Sequence, residues 1–234
     1  MQQAVQIFAK EFRDYFVSPI AYIVIAIFLL VVGWFFFTPF FLFNQASLRS
    51  FFSLLPPVFA FVIPAVTMRL ISEELNIGSY ETLMTLPLKG RDIILGKYAA
   101  AVAFVACMLL PTVFYAVSVS LLGNLDWGPV VGGLLGALLL GSAFSAIGLF
   151  ASALTRNQII SFIVAVAICF TLTTIDRMLF FFPQRALEII AYLGAGAHFA
   201  NIAKGIVDSR DILYFLSISF IGLSATAMVM DEKK

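Results

Sequence analysis

Long stretches without a charged residue constrain this chain more than any other feature. Six such runs, each 19 to 34 residues long, separate its charged side chains. A helix needs about 20 apolar residues to cross ~30 Å of hydrocarbon, so each run is long enough for one crossing. The longest run is too short for two crossings joined by a turn. The sequence therefore predicts six transmembrane helices, in the runs 15–48, 50–68, 98–125, 127–155, 157–175 and 212–230.

Composition supports a membrane location for the whole chain. Hydrophobic residues make up 62% of the 234 residues and charged residues 12%, whereas a soluble domain has about 45–50% apolar and about 25% charged residues. This balance excludes soluble enzymes, disordered tails and disulfide scaffolds. Cys107 and Cys169 fall in the middle of predicted spans, where they are interpreted as packing residues. The predicted fold class is an all-α integral membrane protein, with one transmembrane domain over residues 1–234.

The distribution of Lys and Arg predicts the orientation of the spans. With the N-terminus inside, nine of these residues lie on the cytoplasmic side and five on the outer side. Six spans then place the C-terminus inside as well. The net charge is only +1, so no nucleic-acid partner is expected.

Residues 1–17 are predicted to form an amphipathic elbow helix in the inner interface. Val5, Phe8 and Phe12 recur at helical spacing, with polar residues largely opposite. Ile7 and Glu11 blur the two faces. The alternative is a frayed N-terminal tail. Ser18 and Pro19 fit the start of the first span, with Ser18 as the cap.

Several local features bear on packing. Pro56, Pro57 and Pro64 lie inside the second span, which is predicted to be kinked and interior. Gly132 and Gly136 form a face of small residues that allows close helix approach. Aromatic residues crowd the outer ends of the first two spans, where an aromatic belt is expected; they include Trp34, Phe35, Phe36, Phe37, Phe40, Phe51 and Phe52.

The outer segment 182–210 is expected to lie at the interface without crossing. Its apolar part, 189–203, is 15 residues long and rich in Gly and Ala, which favours short interfacial or re-entrant helices before the sixth span. Charged and polar groups make it a candidate contact surface for an outer partner. The candidate contact residues are Asp176, Arg177, Arg185, Glu188, His198, Lys204, Asp208, Arg210 and Asp211.

Catalytic chemistry is not predicted on this chain. One histidine cannot supply an intramembrane metalloprotease motif, and Ser142 with His198 does not fit a serine protease. Gly90 to Lys97 has one residue too many for a phosphate loop, and Tyr98 stands where a small hydroxyl is needed. We therefore predict no catalytic residue, no metal ligand and no cofactor on the chain itself.

The inner segment 72–97, between the second and third spans, is far longer than a connector needs to be. Ser79 can cap a short helix that Pro87 ends, with an apolar face and acidic residues in between. Such a helix is typical of a docking site for a cytoplasmic partner, and the alternative is a solvated loop on lipid headgroups. The candidate docking residues are Glu73, Glu74, Gly78, Ser79, Tyr80, Glu81, Leu83, Met84, Pro87, Lys89 and Arg91.

The pattern of this segment resembles the signature of ABC-2 type transporter permeases. It has Glu73-Glu74, then Gly78-Ser79-x-Glu81-x-Leu83 and Pro87, followed by Gly96-Lys97. Lys89 departs from the small hydroxyl residue common there. His198-Phe199, with Lys204 to Asp208, Asp211 and Tyr214-Phe215, is similar to the gliding-motility-associated ABC permease subfamily. The resemblance implies six spans with an elbow helix, and a coupling helix that docks on an ATPase.

Partners and cofactors follow from this resemblance alone. It implies two copies of a cytoplasmic ABC ATPase that bind ATP and Mg, and a second permease. That permease is either a second copy of the chain or a related subunit with a large extracytoplasmic domain, in the bacterial inner membrane. The alternatives are a non-ABC membrane scaffold or assembly factor and an intramembrane enzyme.

The wall of any transport path is expected to be mainly apolar. Thr38, Ser53 and Thr67 are the polar groups of the first two spans, and the fifth span adds threonines 171, 173 and 174. Burying an uncompensated polar solute costs several kcal/mol. We therefore expect either a lipid-like substrate or transmission of ATP-driven motion to an outer partner without a hydrated channel.

Overall fold

The computed structural model describes residues 2–43, 47–78, 90–176, 178, 192–206 and 208–233. These residues form helices joined by short turns, without a strand among them. The helices are α1 (Gln2–Val17), α2 (Pro19–Phe43), α3 (Arg49–Thr67), α4 (Arg69–Ile77), α5 (Gly90–Leu109), α6 (Val113–Leu122), α7 (Trp127–Leu154), α8 (Gln158–Thr174), α9 (Ala195–Ala203) and α10 (Ser209–Glu232).

Helix α7 is the central element, packed against α3, α4, α5, α8, α9 and α10. Its small residues allow these approaches from several directions. A side chain at Gly133 would overlap the ring of Phe52 in α3, and one at Gly148 would overlap the hydroxyl of Thr67. On another face, Gly222 of α10 lies directly against Ala146. Helix α7 is therefore the axis around which the other helices pack.

Within the described residues, five helical stretches are long and apolar enough to cross a membrane. They are Pro19–Phe40, Arg49–Ile77, Gly90–Leu122, Trp127–Leu154 and Ser209–Glu232. The remaining predicted span corresponds to α8, an apolar helix of 17 residues. Its rise is about 26 Å, at the lower limit for a crossing. The multi-pass fold is confirmed, and the count of six stays a prediction.

Two stretches are longer than a bilayer requires. Arg49–Ile77 has 29 residues and Gly90–Leu122 has 33, which correspond to about 44 and 50 Å of helix. Their far ends, α4 and the start of α5, flank residues 79–89. We call this end of the bundle the inner end, since the charge pattern predicts that it is cytoplasmic.

Helix α1 is present over Gln2–Val17, as predicted, but it packs closely on α5. A side chain at Gly96 of α5 would meet Ile7 and the backbone carbonyl of Ala4 within 3 Å. Ile7, one of the two residues that blurred the amphipathic pattern, thus packs against α5. Ser18 caps the following helix through the Ile20 amide, at 3.3 Å, and α2 begins at Pro19.

The aromatic residues at the outer end divide into two groups. Trp34 and Phe35 are exposed, as a belt at the interface requires. Phe36, Phe51 and Phe52 are buried and contact one another edge to face. The prediction of a belt therefore holds for only part of the set, and the rest forms core between α2, α3 and α6.

Threonine hydroxyl groups in the spans are bonded within their own helices. Those of Thr38, Thr171 and Thr174 each donate to the backbone carbonyl four residues earlier, at 2.7–2.8 Å. Thr67 and Thr173 do the same in buried positions. The polar groups predicted for a transport wall therefore have their hydrogen atoms committed to the backbone.

Helix α9, the described helix of the outer segment, is packed into the bundle. It contacts α3, α7, α8 and α10, and one side of it is buried. Gly132 of α7 allows the approach, because a side chain there would lie 2.5 Å from the Ile202 carbonyl oxygen. The predicted small-residue face of α7 thus receives α9 instead of another span.

Single cysteines in a background without Cys107 and Cys169 test whether α8 crosses. Asn124 precedes α7 and Ser209 begins α10, and both are exposed. If α7 and α8 each cross once, Asn124→Cys and Ser209→Cys should both react with an impermeant thiol reagent from outside. Glu232→Cys, the control, should react only after permeabilisation. Reaction of Asn124→Cys and Ser209→Cys from opposite sides would contradict six spans.

Candidate functional site

Three charged residues from three helices meet at the inner end. The ammonium of Lys97 in α5 lies 2.9 Å from a carboxylate oxygen of Glu11 in α1 and 2.7 Å from one of Glu74 in α4. The Lys97 side chain is 2% exposed, and those of Glu11 and Glu74 are 13% and 15% exposed. We call Glu11, Glu74 and Lys97 the inner ion cluster.

The inner ion cluster binds the three helices by electrostatic attraction. A buried ammonium is costly unless it is paired, and here two carboxylates surround it. The second oxygen of Glu74, Oε2, is buried without a hydrogen-bond partner among the described residues. The three residues line an adjoining cleft together with Lys10 and Arg69.

This cleft has a volume of about 370 Å³ and lies between α1 and α4. Arg69 places its guanidinium over the ring of Tyr15, 5.8 Å from the centroid. Burial raises the pKa of the Tyr15 hydroxyl, the charge of Glu11 raises it further, and Arg69 opposes the shift. Tyr15 is therefore a neutral residue at physiological pH, and Arg69 holds it by cation–π contact.

The cluster lies at the base of the predicted docking segment. Helix α4 ends at Ile77 and is capped by Gly78. The φ of Gly78 is 78°, a left-handed conformation that favours glycine. Helix α5 begins at Gly90, and Arg91 is exposed on its first turn. Glu73 lines the cleft beside Glu74. The other predicted docking residues lie outside the described residues: Ser79, Tyr80, Glu81, Leu83, Met84, Pro87 and Lys89.

A buried serine supports the junction between α3 and α4. Met68 joins the two helices in helical conformation, with φ −53° and ψ −31°. The Ser152 hydroxyl of α7 donates to the Met68 carbonyl oxygen at 2.7 Å and accepts from the Ile71 and Ser72 amides at 3.0 and 2.9 Å. These amides belong to the first turn of α4, where helices need a cap. Ser152 supplies that cap from another helix.

The inner ion cluster should be needed for stability. Lys97→Met leaves the carboxylates of Glu11 and Glu74 buried together, which should lower the free energy of unfolding by about 3–5 kcal/mol. Thermal unfolding of the purified protein in detergent measures the loss. Lys10→Met is the matched control, because Lys10 is 63% exposed and lies 4.0 Å from Glu11. An equal, small effect of both variants would contradict the assignment.

The cap at the junction should be visible in amide exchange. Ser152→Ala removes the partner of two amides, so hydrogen exchange at Ile71 and Ser72 should accelerate and stability should fall by about 1–2 kcal/mol. Ser142→Ala is the control on the same helix, because the Ser142 hydroxyl bonds only the Leu139 carbonyl. Unchanged exchange at both amides in Ser152→Ala would show that the cap has no energetic role.

A second polar group lies at the opposite end of the bundle. His198 of α9 contacts a carboxylate oxygen of Asp211 through Nδ1 at 2.5 Å and the Tyr192 carbonyl oxygen through Nε2 at 2.8 Å. Its ring stacks on Tyr214 at 4.1 Å between centroids, and the Tyr214 hydroxyl donates to the Leu193 carbonyl. We call Tyr192, His198, Asp211 and Tyr214 the outer polar cluster.

The geometry defines how protons are held in this cluster. A carbonyl oxygen can only accept, so Nε2 of His198 carries a hydrogen toward Tyr192. A hydrogen lies between Nδ1 and the Asp211 oxygen, because two lone pairs would repel at this distance.

The predicted outer contact residues separate into four sets. His198 and Asp211 are buried and face each other, so their polar atoms serve the fold of the outer segment. Lys204, Asp208 and Arg210 are exposed, and Asp208 caps α10 through the Arg210 amide at 3.0 Å. Asp176 is half-buried at the end of α8. Arg177, Arg185 and Glu188 fall in the part of the chain that is not described.

The sequence analysis did not predict the partners of Lys97 in the inner ion cluster or of His198 in the outer polar cluster. Glu11 gave a signal, because it lies on the apolar side of an amphipathic helix, where a charge needs a buried partner. Lys97 stood at the border of an uncharged run and was counted as part of the polar inner segment. Ser152 gave no signal, since serine is common among the small residues of α7.

These observations define a multi-pass helical membrane protein, with the inner ion cluster at the base of a polar inner segment. A family model described as "ABC-2 family transporter protein" matches residues 5–221. The chain therefore belongs to the ABC-2 family of transporter proteins, as the pattern of the inner segment indicated. A comparison with curated proteins gives no match. Membership makes the chain the membrane subunit of an ABC transporter, implies an ABC ATPase as its partner and suggests a subunit that is itself not catalytic.

Proposed function

We propose that this permease subunit receives the motion of a cytoplasmic ATPase through segment 72–97. The observation that carries the proposal is the inner ion cluster. Glu74 lies five residues before Ser79, the predicted start of the docking helix, and Lys97 lies ten residues after Pro87, its predicted end. Their ion pair of 2.7 Å joins the two sides of the docking segment. A force on this segment therefore acts on α4 and α5 together, and through Glu11 on α1.

The path of this motion continues into the membrane. Helix α4 connects to α3 through Met68 and to α7 through Ser152, and α7 contacts most other helices. Two ATPase subunits that bind ATP and Mg²⁺ would supply the motion. The second permease is either a second copy or a related subunit with a large extracytoplasmic domain. The output is export or transmission of motion to an outer partner.

The narrower assignment is to the gliding-motility-associated type of permease, in the bacterial inner membrane. Its support is the sequence pattern at the outer end, part of which comes together in the fold. His198 pairs with Asp211 and stacks on Tyr214, and the buried Phe199 and Phe215 lie beside them in the chain. Three members of the pattern thus meet in the outer polar cluster, whereas Lys204 and Asp208 are exposed.

A charge reversal in the docking segment tests the proposal. Glu81→Lys should lower the amount of ATPase that co-purifies, or reduce the stimulation of ATP turnover by the permease, by roughly tenfold, since one charge-assisted contact is lost. Glu232→Lys is the control, because Glu232 is exposed at the same end and lies outside the segment. Both variants should unfold at the temperature of the wild type.

The same experiment separates the alternatives. If no ATPase co-purifies with the wild type after mild detergent extraction, the chain acts as a scaffold or assembly factor. If Glu81→Lys binds and stimulates the ATPase like the wild type, the docking assignment is wrong while the family stands.

A further inference from the structure

A cavity at the end of the bundle opposite the inner ion cluster has no role in the coupling described above. Its volume is about 270 Å³, and it lies between the start of α3, the end of α8 and α9. Arg49 begins α3 and Asp176 follows α8 by two residues, so both stand where apolar spans end. Such positions lie at the level of the lipid headgroups.

The charged groups of the cavity are of both signs. Arg49 and Lys204 line it and are exposed, and neither side chain forms an ion pair within the described part of the chain. Asp176 also lines it, and its Oδ1 atom is buried without a hydrogen-bond partner among the described residues. Among the described residues, the cavity thus presents two cations without an ion pair and one buried carboxylate oxygen without a donor.

Asp176 is held close to α9 by a glycine. A side chain at Gly196 would lie 2.7 Å from the Oδ2 atom of Asp176 and 3.1 Å from the Thr173 carbonyl oxygen. The absence of a Cβ there lets the carboxylate lie against the first turn of α9. Its other oxygen, Oδ1, is buried, so the carboxylate as a whole is the acceptor that Asp176 contributes to the lining of the cavity.

The walls of the cavity are apolar. Phe52 and Pro56 of α3 form one side, and Phe199 of α9 with neighbouring alanines forms the other. An occupant must therefore combine a headgroup carrying both charges with an apolar body. A soluble zwitterion lacks that body, and an anionic lipid such as phosphatidylglycerol offers Asp176 only neutral hydroxyl donors, which bind a carboxylate more weakly than an ammonium does.

We propose that this cavity binds a membrane phospholipid whose headgroup ends in a primary ammonium. The phosphate lies between Arg49 and Lys204, since guanidinium and ammonium groups are the usual phosphate partners. The ammonium donates to the carboxylate of Asp176. The acyl chains leave along Phe52 and Phe199. A quaternary ammonium has no N–H to donate, so choline headgroups bind more weakly.

Photolabelling of the intact complex in vesicles tests the site. The probes are phosphatidylethanolamine, phosphatidylcholine and phosphatidylglycerol, each with a photoactivatable group on an acyl chain near the glycerol. Phosphatidylethanolamine should label peptides of α3 and α9 several-fold more than the other two. Asp176→Asn, which keeps the shape of the side chain, should remove this preference, a change of roughly tenfold. Arg49→Gln with Lys204→Gln should lower labelling by all three lipids.

Arg210→Gln is the matched control, because Arg210 is an exposed cation at the same end that does not line the cavity. Its labelling should equal that of the wild type. Equal labelling by the three lipids, no labelling of α3 and α9, or an unchanged preference in Asp176→Asn would overturn the proposal. Displacement by soluble phosphoethanolamine would also overturn it and assign the site to a soluble solute. None of these readouts depends on the ATPase, so the result stands apart from the coupling proposal.

Discussion

The buried ammonium of Lys97 sets the arrangement of the inner end. Transferring such a group out of water costs several kcal/mol, and the fold recovers this only by bringing two carboxylates from separate helices to it. Glu11 can reach Lys97 only if α1 lies against α5, which Gly96 permits. Glu74 can reach it only if α4 continues beyond the membrane. The pairing of Lys97 therefore fixes the position of α1, the elbow helix, and of α4 and the start of α5, which flank the docking segment.

Within the bundle, close packing takes the place of ionic attraction. Lipid tails are as apolar as the side chains they replace, so helices associate through tight contact of small residues and through hydrogen bonds. Helix α7 provides both. Gly133 and Gly148 admit the residues of α3, and Ser152 bonds the backbone of the Met68 junction. A span with large residues in these places would hold its neighbours too far away for the hydroxyl to reach.

Most of the membrane-spanning helices could be located from the sequence. Every span must be long enough to cross the hydrocarbon and must avoid buried charges, so uncharged runs of sufficient length mark them. A local signal also placed the start at Pro19, through the cap Ser18. The partners of Lys97 and of His198 could not be predicted. Glu11 is 86 positions from Lys97, and such pairs depend on how helices pack, which a single sequence does not encode locally. For the same reason His198 and Asp211 were interpreted as surface groups.

The hydroxyls of the spans have a consequence for what could move beside them. A hydroxyl has one hydrogen and two lone pairs, and in Thr38, Thr171 and Thr174 the hydrogen points to the helix backbone. What remains toward the surroundings is oxygen. A molecule moving along these helices therefore meets acceptors without donors, a surface of weakly negative potential. Such a surface favours groups that carry N–H or O–H and disfavours bare anions. These uncharged side chains would therefore discriminate between molecules by the sign of their charge.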